Sequence, residues 1–143
     1  MRKAFSLIEL ILVLVVISIL SVFVLSKFDD SSKFANKTKI KSEIALIRNG
    51  ISKLISSNTL LNKDENIYLD EESINQEGSL LFKNIIDSPL LSTSKDKKEL
   101  GKWIKTSSNR YVIYISNDEY LEFVLENNSF VCKSDKELCV SYE

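Results

Sequence analysis

Hydrophobic positions divide this chain into three successive patterns. From Phe5 to Ser26 the run FSLIELILVLVVISILSVFVLS is apolar but for one charge, Glu9. As a helix rising about 1.5 Å per residue it would be roughly 33 Å long, enough for a hydrocarbon core about 30 Å thick. Further on, Ile40, Ile44, Ile47, Ile51 and Leu54 recur at spacings of four and three, flanked by Lys39, Lys41, Glu43, Arg48 and Lys53. That periodicity makes one helical face apolar. The two stretches together predict one helix from Phe5 to about Ser57, roughly 80 Å if unbroken. Only about two heptads fit a coiled-coil seam, so the stripe is expected to cover a globular core.

The third pattern is alternation. Arg110 to Ser116 (RYVIYIS) and Glu119 to Leu125 (EYLEFVL) alternate around Asn117 and Asp118, which predicts a hairpin with a two-residue turn. Ser129 to Cys132 offers another strand after a turn at Asn127 and Asn128, and residues near Trp103 supply the first. The stretch from Asn58 to Gly101 has weaker signals. In it, SLLFKNIIDSPLLS is an apolar cluster broken at Pro89, which predicts a short helix ending near Asp87 and Ser88. The expected fold is α+β: a long N-terminal helix, transmembrane in its first half and amphipathic in its second, packed on an antiparallel sheet of three to four strands.

Charge sharpens this division. Residues 1–57 carry nine Lys or Arg against four acids, and residues 58–143 carry ten against sixteen. A basic helix and an acidic head suit packing between copies of one protein. The chain has no His, and its three glycines (Gly50, Gly78, Gly101) are too scattered to cradle a phosphate. His-dependent triads, acid–base pairs and zinc sites are therefore excluded, and the chain reads as a structural protein without a cofactor or resident metal, not an enzyme. Trp103, Tyr111, Tyr114, Tyr120 and Phe123 invite comparison with a stacking platform for single-stranded DNA. Burial of one sheet face accounts for them better, and nucleic acid stays open as a partner.

Arg2 and Lys3 precede the apolar run, and Lys27 is followed, after Phe28, by Asp29 and Asp30. The basic bias places the N-terminus in the cytoplasm and the head across the membrane. A cleaved secretory signal is the rival reading, but its apolar region is about 7–15 residues long and ends at small residues. Glu9 is unusual in either case. A charged side chain at mid-bilayer costs about 2.5–3.5 kcal/mol and calls for a partner, a function or escape to the nearby interface.

The string RKAFSLIEL resembles the class III signal of type IV prepilins and type II secretion pseudopilins, and the likeness runs on through the apolar stretch over roughly the first 25 residues. It implies cleavage by a prepilin peptidase after Ala4, Phe5 as a methylated N-terminus, and Glu9 as the family's characteristic acid. The new ammonium of Phe5 would then meet Glu9 of a neighbouring subunit. At an effective dielectric near 20 and about 4 Å such a pair attracts by about 4 kcal/mol, offsetting much of the burial penalty. The family usually has Gly where this chain has Ala4, and its major pilins often interrupt the helix with Gly or Pro, which residues 5–26 lack. Ala4 is small enough for the peptidase site, with slower processing expected, and the missing Gly and Pro favour a pseudopilin or minor pilin.

Cys132 and Cys139, with six residues between them, lie in a head expected to face an oxidising periplasm, where a disulfide is expected. Many type IV pilins close a C-terminal loop in this way. Pseudopilin loops can also hold calcium, but Asp135 and Glu137, separated by Lys136, read as a solvated loop.

The resulting expectation is a leader (1–4), a transmembrane assembly helix (5–28), its amphipathic continuation (29–57) and a periplasmic head (58–143). The expected role is a pseudopilin of a type II secretion or DNA-uptake machine. Its partners would be copies of itself, related pilin subunits, the peptidase and an inner-membrane assembly platform. A minor type IV pilin is the alternative within the family. A monomeric membrane-anchored binding domain is the alternative outside it.

Overall fold

A computed structural model of the protein describes residues 6–63 and 67–143, and for residues 25–32 the backbone alone. The chain is α+β, in the order α1 (Leu7–Leu60), β1 (Leu80–Leu81), β2 (Leu90–Leu91), β3 (Trp103–Ser107), β4 (Arg110–Tyr114), β5 (Tyr120–Glu126), β6 (Ser129–Cys132) and α2 (Lys136–Tyr142). It forms two compact units whose boundary falls between Ala35 and Asn36, within α1.

In the C-terminal unit, β3, β4, β5 and β6 form an antiparallel meander in chain order. Ile40, Ile44, Ile47 and Ile51 are each at most 2% exposed, so the predicted stripe is the face of α1 that closes the core. They share one apolar cluster with Phe82, Trp103, Tyr111, Ile113, Leu121, Phe123 and Phe130. Phe123 and Phe130 stack at 4.9 Å, and Phe82 meets the Trp103 ring edge-on at 5.5 Å. Gly50 lets the helix approach the connector that leads from α1 to β3, because a Cβ there would fall 2.3 Å from the Ile85 carbonyl oxygen.

Turn chemistry sets the registers. Asn127 and Asn128 both have positive φ, and Glu126 faces Ser129 across them. That is the two-residue turn whose twist matches the strands, built with asparagine, which tolerates the left-handed conformation. The β4–β5 hairpin differs from its predicted two-residue turn. Tyr114 pairs with Tyr120, and the Ile115 N–H donates to the Glu119 carbonyl, so Ser116, Asn117 and Asp118 form a three-residue loop. With no glycine in the loop, the Ser116 hydroxyl supplies the acceptor for the Glu119 N–H, at 3.0 Å.

The predicted helix in SLLFKNIIDSPLLS is absent. Leu80 and Leu81 pair with Leu91 and Leu90 as short antiparallel strands, and one tight turn starting at Phe82 lies between them. Phe82 has φ near +63°, which a helix cannot continue through, and its N–H donates to the Asp70 carboxylate at 3.1 Å. Tertiary packing of the Phe82 ring outweighs the local apolar pattern.

Asp70 is the polar centre of this connector. Its side chain, fully buried, accepts from Lys105 Nζ at 2.8 Å, from the Tyr111 hydroxyl at 2.9 Å and from the Phe82 and Glu72 N–H groups. Connector, β3 and β4 are thereby joined at one carboxylate, and its lone pairs are consumed by structural donors. Burial and the adjacent Asp70 charge push the Tyr111 phenol far above its ordinary value, so it stays a donor at every physiological pH.

Candidate functional site: the apolar helix and its first turn

From Leu7 to Val24, α1 is long and apolar enough to span a membrane, and none of those eighteen residues is buried. Leu7, Ile8, Val22 and Phe23 are each more than two-thirds exposed. A continuous apolar surface of this kind requires cover by lipid or protein. Its hydroxyls are already satisfied within the helix: Ser18 and Ser21 donate to the Leu14 and Ile17 carbonyls, each at 2.7 Å. These serines can enter a low-dielectric environment without an unpaired donor.

Ala4 and Phe5 lie outside the described residues. Glu9 sits in the first turn of α1, and its backbone N–H donates to the Ser6 hydroxyl at 3.3 Å. Ser6 thus caps the helix, and Ser6–Leu7–Ile8–Glu9 is the S-x-x-E spacing of a capping box, a signal readable from sequence but overshadowed by the cleavage motif. The helix N-terminus carries partial positive charge, so an acid in this turn is favoured locally, by about 0.3–1 kcal/mol. The position therefore has a modest structural rationale besides any role between subunits.

The aromatic residues separate by face. Trp103, Tyr111 and Phe123 are at most 1% exposed and belong to the core. Tyr114 and Tyr120 are on the opposite face, 6.3 Å apart in an edge-on contact, and Tyr120 is half exposed. The core therefore takes three of the five aromatics.

Cys132 and Cys139 form a disulfide with Cα atoms 6.0 Å apart, tying the end of β6 to α2. Asp135 between them caps α2, its carboxylate accepting from the Glu137 N–H at 2.9 Å. Among the described residues no group of three or more His, Cys, Asp or Glu side chains is gathered as for a metal. Arg48 of α1 adds a second tie, donating to the Phe130 carbonyl and to Glu143. Closing a loop of about eight residues restricts the unfolded chain by roughly 2.5 kcal/mol. Replacing both cysteines by serine is expected to lower the unfolding free energy by about that amount, measured with urea, with the fold retained because the sheet and Arg48 contacts persist. A loss below about 0.5 kcal/mol would contradict the loop-closure account.

Sequence reading also passed over Glu43. Its carboxylate is largely buried, accepts from Trp103 Nε1 at 2.8 Å and lies 3.6 Å from Lys39 Nζ. Burial raises its pKa, and the Trp103 and Lys39 contacts offset this only in part. The folded protein therefore holds the proton more tightly than the unfolded chain. This stabilising contribution is fully present below about pH 4.5 and is lost as pH rises through the raised folded value. Glu43→Gln keeps an acceptor for Trp103 without a charge to desolvate. Its stability relative to wild type should rise between about pH 4.5 and 7 in paired urea titrations. A constant difference would show that Glu43 is not the titrating group.

These features define a class: an α+β protein whose membrane-length apolar helix leads into a disulfide-tied head, with the acidic residue of interest in the first helical turn. Comparison with family models, curated proteins and solved structures found no match.

Proposed function

We propose that the chain is a pilin-like structural subunit, a pseudopilin, which is cleaved before Phe5 and polymerises through α1. The observation that carries this reading is the wholly uncovered apolar helix with Glu9 in its first turn, preceded by a short basic leader. Lipid covers that surface while the subunit is stored in the inner membrane with its head on the periplasmic side, and neighbouring subunits cover it in the fibre. In the fibre the Phe5 ammonium of one subunit meets Glu9 of another, so neither charge is left alone in a low-dielectric core. The disulfide suits a head in an oxidising compartment. Residues 5–26 contain no Gly or Pro, which favours a stiff pseudopilin helix over that of a major pilin.

Mass spectrometry of the N-terminal peptide from membranes tests the first step. The expected peptide begins at Phe5 and carries one methyl group. Retention of Met1 would remove the support for processing, and a start near Lys27 would identify residues 1–26 as a secretory signal.

A further inference from the structure

The face of the sheet turned away from α1 carries an open trough of about 570 Å³. That volume is within the range of about 300–1,000 Å³ typical of small-molecule sites. We infer that this trough binds an acidic oligosaccharide, a short chain of sugar rings bearing carboxylates.

Three kinds of group line the trough, and one ligand chemistry uses all of them. Tyr120, half exposed and braced edge-on by buried Tyr114, offers a flat apolar surface for the C–H face of a sugar ring. Lys95 and Lys98 stand along the trough and have no ion pair among the described residues. Their turn is held in place: the Lys95 N–H donates to Asn75 Oδ1 at 2.8 Å and the Lys98 N–H to the Ser94 carbonyl at 3.0 Å. Two ammonium groups without an ion pair, carried on a turn whose backbone is fixed, suit the carboxylates of a uronic acid. Asn117, Asp118 and the Arg110–Glu122 pair, whose contact is 2.8 Å, supply planar donors and acceptors for vicinal hydroxyls.

Other anions fit less well. A long polyanion would run beyond Lys95 and Lys98 onto a head region with sixteen acids against ten bases, residues 58–143. An extended peptide binds a sheet through backbone groups at an edge, and the trough lies on side chains of the sheet face.

The test uses the full chain in detergent micelles, titrated calorimetrically with a galacturonic acid trimer. The fully methyl-esterified trimer serves as a neutral analogue and a thymidine oligonucleotide of equal charge as a polyanion control. Saturable binding is expected for the acid trimer, weakened about tenfold or more by esterification, by the double change Lys95→Gln and Lys98→Gln, and by Tyr120→Ala. All three positions are exposed, and unchanged emission of buried Trp103 verifies that each variant is folded. Absence of saturation, equal binding of the ester, full affinity in Tyr120→Ala, or equal affinity for the oligonucleotide would each overturn the proposal.

Discussion

Glu9→Leu is expected to leave the chain in the membrane and processed before Phe5, and to abolish its recovery in fibres. Insertion should persist because removing a carboxylate eases partitioning into lipid. Assembly should fail because each Phe5 ammonium would enter a low-dielectric contact without its counter-charge. Removing one partner of a buried pair typically costs about 3–5 kcal/mol, or roughly a hundredfold to several thousandfold per contact. The local role of Glu9 is too small to produce this loss, since an acid in the first turn contributes only about 0.3–1 kcal/mol. The capping bond to Ser6 uses the backbone N–H of residue 9, which leucine retains. Ser6→Ala separates the two effects: it removes the cap at a cost of about 1 kcal/mol and should still give fibres. Fibre shearing and helix-to-helix cysteine crosslinking, with membrane fractionation of the same cells, supply the measurements. Wild-type fibre yield from processed Glu9→Leu would refute the pairing mechanism. A wild-type chain that never crosslinks to itself or a related subunit would point to the monomeric anchored domain.

Asp70→Ala should be the most damaging single change in the head. It strands the Lys105 ammonium, only 8% exposed, without a counter-charge, and leaves the Tyr111 hydroxyl and the Phe82 N–H without their acceptor. An uncompensated buried charge costs about 3–5 kcal/mol, a large part of the roughly 5–15 kcal/mol that holds a domain together. Lys105→Met also leaves a buried charge without its partner but should cost less, because the Asp70 carboxylate is still hydrogen-bonded by the Tyr111 hydroxyl and two backbone donors. Urea unfolding followed through Trp103 emission reads both variants. Equal losses for the two would mean that the ion pair, and not the hydrogen-bonded carboxylate, organises the connector. A loss below about 1 kcal/mol for Asp70→Ala would remove both explanations.

How legible each part was depended on whether its driving force is periodic. Ile40, Ile44, Ile47 and Ile51 announce their burial by spacing alone, because a helix returns to the same face every three or four residues. The strands from Arg110 onward show the period of two, and all three lie with β3 in one meander. The connector has no such period. Its course is decided by single polar contacts: Asp70 with Lys105 and Tyr111, Ser92 Oγ accepting from the Ser79 N–H, and the Asn75 N–H donating to the Lys105 carbonyl. None of these leaves a trace in local composition. The apolar run around Phe82 consequently resembled a helix, although its ring is needed in the core and its backbone at Asp70.

By itself, the amino-acid sequence determined the membrane-length helix, the amphipathic face that continues it, the sheet strands and the pairing of the only two cysteines. Each of these follows from repeated or local chemistry. Tertiary structure alone decided the one-residue register of the β4–β5 loop, the division of five aromatics between two sheet faces, the buried Asp70 centre and the trough beside Tyr120. Those features depend on which distant side chains arrive at the same place, and burial then magnifies the cost of leaving any polar group among them unpaired.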